Sequence, residues 1–168
     1  VSASAVTVRA ARAADRPALA AIVSSDETFK PDEVAVALEL IDAALAGSVD
    51  YELLVACEPG GDDAPLGYVC FGRTPMTART FDLYWIVVHA RARGRRVAGT
   101  LIAALEAEIA ARGGGNIRVE TSETEGYGAA RSLYARAGYP EASRLEGFYA
   151  DGDALITYYK TIAASPPA

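Results

Sequence analysis

The sequence predicts a single α/β domain built on a mixed sheet of about seven strands flanked by about four helices. Two observations carry this. Apolar residues recur at a helical period in segments separated by apolar runs of strand length, and clusters of Gly, Pro and Asp stand between them. The resulting order, β-α-α-β-β-β-α-β-α-β-β, suits one sheet with helices packed on it. A chain of 168 residues is long enough for one sizeable core and too short for two comfortable ones.

The elements follow in order. Val6 to Arg9 reads as a short strand, and Asp15 before Arg16-Pro17 reads as the N-cap of a helix whose apolar face is Leu19, Ile22 and Val23. A second helix is predicted from Pro31 to Ala46, with Val34, Leu38, Ile41 and Leu45 on one stripe and Gly47 ending it. Strands at Tyr51–Glu58 and Leu66–Arg73 flank a loop, Pro59–Pro65, of turn-forming residues. Thr80–Val88 alternates Phe81, Leu83, Trp85 and Val87 against Asp82, Tyr84, Ile86 and Val88, which suits a central strand buried on both faces.

A helix over Val97–Arg112 carries Val97, Leu101, Leu105 and Ile109 at i+4 spacing, and Gly113-Gly114-Gly115 stops it. Asn116–Ser122 is a strand and Tyr127–Ala137 a helix ending at Gly138. Strands at Ser143–Tyr149 and Ala154–Lys160 are joined by a turn around Asp151-Gly152. The expected domain is 1–162, with 163–168 as a tail.

Composition narrows the function classes. With 51% hydrophobic and 23% charged residues the chain is that of a compact globular protein. No apolar run approaches the ~20 residues of a membrane span, and residues 1–8 lack the regions of a signal peptide, so a cytoplasmic location is expected. A net charge of −6 argues against nucleic-acid binding and mildly favours cationic partners such as amines. Cys57 and Cys70 lie in apolar strands and read as buried thiols. His89 is the sole histidine, which leaves no metal site and no His-based nucleophilic triad to expect.

The most informative segment is Ile86–Leu101, where an apolar strand passes through an arginine- and glycine-bearing turn into a helix. Main-chain N–H groups at a helix start lack intrahelical acceptors, the helix dipole favours negative charge there, and small residues let a ligand approach the backbone. The segment reads as a phosphate cradle. Arg96 sits within it under one of two conditions. An ordinary helical φ would leave it unstrained, whereas a positive φ would cost of order 1 kcal/mol.

With these elements placed, the chain resembles the GCN5-related N-acetyltransferase (GNAT) superfamily over nearly its whole length, most strongly from Thr80 to Tyr139. The family's Arg/Gln-x-x-Gly-x-Gly/Ala signature falls at Arg93-Gly94-Arg95-Arg96-Val97-Ala98, where Arg93 opens it, Ala98 closes it and Arg96 replaces the first glycine. Ala90 stands where many members have proline. A second family pattern, Asn-x-x-Ala-x-x-Leu-Tyr-x-x-x-Gly-Phe/Tyr, is matched at Ala130, Leu133, Tyr134, Gly138 and Tyr139, with Tyr127 in place of the asparagine.

The resemblance implies a GNAT fold with strands splayed at a cofactor cleft, and acetyl-coenzyme A as co-substrate. Arg93, Gly94, Arg95, Arg96, Val97, Ala98 and Gly99 would hold its diphosphate. The main chain of Ile86, Val87 and Val88 would pair with its pantetheine arm, assisted by Tyr127 or Ser132. Tyr134 would donate a proton to the departing thiolate, as a hydroxyl with an ordinary pKa of ~10 can. Glu120 is the candidate general base, with Asp82, Tyr84, Ser122 and an ordered water as alternatives. Phe29, Asp82, Tyr84, Phe148 and Tyr149 would line the acceptor site, beside the Asp26-Glu27-Thr28 turn, where carboxylates and aromatics suit an ammonium group.

The expected activity is acetyl transfer from acetyl-coenzyme A to a primary amine, of a small molecule or a peptide, by direct attack. A transferase using another acyl-coenzyme A, or a module that binds acyl-coenzyme A without turnover, is the alternative. The exposed strands near the C-terminus make a homodimer conceivable.

Overall fold

The computed structural model describes residues 6–58 and 63–166. Its strands are β1 (Thr7–Ala10), β2 (Glu52–Cys57), β3 (Pro65–Arg73), β4 (Thr80–Val88), β5 (Gly115–Ser122), β6 (Glu141–Ala150) and β7 (Asp153–Ile162). Its α-helices are α1 (Arg16–Ser24), α2 (Pro31–Leu45), α3 (Val97–Ala111) and α4 (Gly128–Arg136). The strands form one seven-stranded sheet in the order β1-β2-β3-β4-β5-β7-β6. The sheet is mixed: β4 and β5, joined through α3, pair in parallel, whereas β1–β2, β2–β3, β5–β7 and β6–β7 are antiparallel.

Packing gathers the chain into two compact units, residues 1–72 with 85–105 and residues 73–84 with 106–168. In the first, Leu19, Ile22 and Val23 of α1, Ile41 of α2, Val55, Tyr68 and Phe71 of β2 and β3, and Leu101 and Leu105 of α3 are buried. In the second, Ile109, Ile117, Val119, Tyr134, Tyr139 and Ile156 are buried. The α3 stripe Val97, Leu101, Leu105, Ile109 is inaccessible along its length, as its i+4 spacing predicts.

Local chemistry sets the element ends. The Glu33 carboxylate accepts the Lys30 N–H at 2.8 Å at the start of α2, and Gly47, at φ +86°, ends that helix. Several boundaries differ from the sequence reading. Pro65 opens β3 instead of ending the preceding loop, since a first strand residue can lack a ladder donor. Gly113 and Gly114 reverse the chain at φ +98° and +77°, but Gly115 already belongs to β5. A Cβ on Gly115 would collide with the Arg79 carbonyl oxygen, so the close approach demands glycine.

Asp15 does not cap α1 with its side chain. Its carboxylate instead accepts the Arg12 N–H at 2.7 Å and two bonds from Arg9, at 2.8 and 2.9 Å. The fourth helix starts at Gly128 and leaves Tyr127 in the preceding 3₁₀ turn, Glu125–Tyr127. Strands β6 and β7 run longer than their patterns suggest, because β6 is an edge strand whose residues are all exposed and lack burial alternation. Of the loop predicted at Pro59–Pro65, residues 59–62 lie outside the described residues, as do 1–5 and the last two of the tail. Cys57 and Cys70 are both buried and free.

Candidate active site

In the first unit, the strand-to-helix segment is built as a cradle. The His89 N–H donates to the Leu66 carbonyl at 2.8 Å, and a 3₁₀ turn, Ala90–Ala92, carries the chain off β4. The His89 Nδ1 accepts the Arg91 N–H at 3.2 Å, which commits the sole histidine to the turn. On the far side of β4, a Cβ on Gly67 would approach the Val87 carbonyl oxygen to 2.8 Å, so glycine lets β3 lie close to this end of β4. Val87 is buried, and Ile86 and Val88 are partly so.

Gly94 takes φ +76° and Arg96 φ +62°, after which α3 begins at Val97. The positive φ answers the question posed by the sequence: Arg96 occupies a left-handed conformation that costs an L-residue about 1 kcal/mol. The Thr100 N–H bonds to the Arg96 carbonyl at 3.0 Å. The N–H groups of Val97, Ala98 and Gly99 therefore precede the first intrahelical donor, find no acceptor within the helix, and carry the positive end of the α3 dipole. A Cβ on Gly94 or Gly99 would meet nothing within 4 Å, which leaves open space over the backbone.

The four arginines of this turn divide. Arg93 pairs with Asp26 at 2.9 Å, and Arg95 with Glu58. Arg91 and Arg96 are exposed and have no carboxylate partner among the described residues. Phe29 meets Trp85 edge-on, with ring centroids 5.1 Å apart. Backbone donors, a helix N-terminus, unpaired guanidinium groups and room above two glycines fit a diphosphate.

In the second unit, the β4–β5 register runs from Thr80↔Asn116 to Leu83↔Val119. Asp82 is buried within it. One of its oxygens accepts the Thr74 hydroxyl at 2.8 Å and the other accepts Arg118 Nε at 2.6 Å. Glu120 is exposed on β5, 3.7 Å from Arg118, and Tyr84 is partly buried. The Ser122 hydroxyl donates to the Asp153 carboxylate at 2.5 Å and lies 2.7 Å from the Thr124 hydroxyl, so it is held in a local network.

Tyr134 is 4% exposed and packs against Tyr139 and Tyr158, with ring centroids 6.2 and 5.5 Å away. Burial, followed by the Tyr158 hydroxyl, pushes its phenol well above the usual tyrosine range. It therefore holds its proton at any working pH. Tyr127 is partly buried in the turn before α4, and Ser132 is exposed on that helix. Phe148 and Tyr149 are exposed on β6 and contact each other edge-on at 4.9 Å.

Some participants carry no local sequence signal. Arg131 fixes the entry to α4 by donating to the Ser122 and Thr124 carbonyls at 2.8 and 2.7 Å. Ser25 reaches the turn that follows β4, where its hydroxyl oxygen accepts the Ala90 N–H at 3.3 Å. Both are contacts distant in sequence, made by residue types common on any surface.

The family model for an acetyltransferase (GNAT) domain matches residues 50–141. Among solved structures, one from Desulfovibrio desulfuricans assigned to the GNAT family of acetyltransferases is 34% identical, with a TM-score of 0.87 over 95% of this chain and 100% of that one. The ribosomal-protein-S18-alanine N-acetyltransferase of Escherichia coli is 18% identical, with a TM-score of 0.74 over 96% and 97% of the two chains. An aminoglycoside 6'-N-acetyltransferase complexed with coenzyme A is 17% identical, with a TM-score of 0.70 over 96% and 99%. The last two share the fold. No curated protein matches the chain in sequence.

Proposed function

Because this chain belongs to the GNAT family of acetyltransferases and takes its acetyl group from acetyl-coenzyme A, we propose that it transfers that group directly to a primary amine, of a small molecule or a peptide. The observation that carries the proposal is the Arg93–Gly99 turn, whose backbone donors, together with the exposed Arg96 guanidinium, suit a diphosphate. Bound coenzyme supplies an acetyl thioester, an activated acyl donor.

The chain's own groups divide the remaining work. The N–H groups of Val97, Ala98 and Gly99, with the Arg96 and Arg91 guanidinium groups, hold the diphosphate. The main chain of Ile86 and Val88 orients the pantetheine arm, and the Tyr127 and Ser132 hydroxyls are the further polar groups we assign to the coenzyme. Aminolysis needs a neutral amine, so Glu120, directly or through water, takes a proton from the acceptor ammonium. The amine nitrogen then bonds to the acetyl carbon as the carbon–sulfur bond breaks, the Tyr134 hydroxyl gives its proton to the sulfur, and the surplus proton on the new amide nitrogen returns to the Tyr134 oxygen, directly or through water. Phe29, Tyr84, Phe148 and Tyr149 offer aromatic faces to a cationic acceptor. Asp82 acts through Arg118, since both of its oxygens are already committed.

Calorimetry with acetyl-coenzyme A, followed by thiol release across a panel of aliphatic amines, aminoglycosides and peptides with free α-amines, tests this reading. The expected result is binding together with amine-dependent thiol release. Binding without release on any amine would replace it with a non-catalytic acyl-coenzyme A module.

A further inference from the structure

The connection between α1 and α2 is tied to the strand-and-turn segment 85–93 by three residues. Ser25 receives the Ala90 N–H on its hydroxyl oxygen while donating to the Ile22 carbonyl at 2.8 Å. Asp26 pairs with Arg93, and Phe29 packs edge-on against Trp85. Asp26 is the hinge of this arrangement because its two oxygens do different things. Oδ1 accepts the Thr28 N–H at 3.0 Å, which shapes its own turn, while Oδ2 holds Arg93 Nη2 at 2.9 Å. The Phe29 N–H closes the turn onto the Asp26 carbonyl at 3.3 Å. The Asp26 side chain is only 17% exposed, although it stands in a surface turn.

We propose that Asp26 is a positioning residue that couples the α1–α2 turn to the coenzyme, acting through Arg93. The inference rests on the reading of the Arg93–Gly99 turn as the diphosphate site. A guanidinium presents five donors in a rigid fork. Asp26 engages Nη2, and with the Arg93 side chain 53% exposed the rest of the fork remains accessible to an anion. A phosphate drawn to this turn fixes Arg93, Arg93 fixes the Asp26 carboxylate, and the carboxylate holds the turn that carries Phe29. Coenzyme binding thus stiffens a segment that offers an aromatic face to the acceptor. Linkage makes the effect reciprocal: whatever orders the turn tightens coenzyme binding by the same factor.

The test is hydrogen exchange of the 24–30 segment with and without saturating coenzyme A, in the parent and in Asp26→Asn, with binding followed by calorimetry. Asparagine keeps an Oδ1 acceptor for the Thr28 N–H and removes the charge that holds Arg93. The parent should show coenzyme-dependent slowing of about fivefold or more, the lower range of a coupling free energy. Asp26→Asn should bind coenzyme and lose the slowing. Arg93→Gln should lose it from the other side of the pair, and the fluorescence of Trp85, the sole tryptophan, should report the same pattern. Equal slowing in parent and variants, or no slowing in a parent that binds coenzyme, would overturn the coupling alone. Failure of the parent to bind coenzyme A would overturn the diphosphate site and the coupling with it.

Discussion

Asp82 and Arg118 are register partners across the parallel β4–β5 pair, and the Asp82 carboxylate accepts Arg118 Nε at 2.6 Å. With Thr74 on its other oxygen, each oxygen of the buried Asp82 carboxylate already holds a donor. Glu120, two residues beyond Arg118, keeps an exposed carboxylate. Asp82→Asn should therefore lower stability by about 1.5–3 kcal/mol, the size of a charge-assisted hydrogen bond, and leave turnover nearly intact below the melting transition. Glu120→Gln should do the reverse, keeping stability and slowing turnover at neutral pH by about 10²-fold. Paired melting and thiol-release measurements check both.

Arg96 supplies the second prediction. Glycine takes φ +62° without strain, so Arg96→Gly should raise stability by about 1 kcal/mol in denaturant titrations. The same change removes a guanidinium from the diphosphate site. Coenzyme affinity should fall about fivefold at low ionic strength, as expected for an exposed charge contact of about 1 kcal/mol. The difference should shrink as salt is added.

Tyr134→Phe should slow acetyl transfer by about 10²-fold or more, with coenzyme affinity nearly unchanged, because the ring and its packing are retained. Since burial raises the Tyr134 phenol above its ordinary value, it stays protonated as pH rises through neutrality. The parent should then show no loss of rate from this group below about pH 10. The rate should climb with pH as the acceptor amine loses its proton.

The Asp15–Arg9 pair predicts an acid-side stability signature. The Arg9 hydrogen bonds, helped by the Arg12 N–H and opposed by burial, hold the Asp15 carboxyl below its ordinary value. A depressed folded-state value gives stability that is present above the unfolded pKa of about 3.9 and is lost as pH falls through the folded one. Asp15→Ala should cost about 2 kcal/mol at pH 7, the size of charged hydrogen bonds lost from a partly buried pair whose Arg9 keeps Asp63. The gap between parent and variant should stay level above about pH 5 and narrow below about pH 4, in urea titrations across that range.

The fold was legible wherever burial imposes a period. The α3 stripe from Val97 to Ile109 announces its own packing, and so do Phe81, Leu83 and Val87 of β4, although Tyr84, Trp85, Ile86 and Val88 are only partly buried where burial on both faces was expected. The exposed β6 does not, because no face of it is buried. The turn between β4 and α3, proposed as the diphosphate site, was legible as a turn because glycines and a helix start are local features. The backbone state of Arg96 was not, since propensity allows arginine on either side of φ zero only at different cost. Nor were the pairings of Asp82 with Arg118 and Asp26 with Arg93, which join residues 36 and 67 positions apart and depend on strand register and loop placement.

The most direct measurement follows labelled acetyl from acetyl-coenzyme A by rapid quench in the presence of an amine that stimulates thiol release. The account predicts that label leaves the coenzyme and arrives on the amine nitrogen at equal rates, with none on the protein at any time. Label accumulating on the protein, or coenzyme bound but never discharged by any amine, would contradict it.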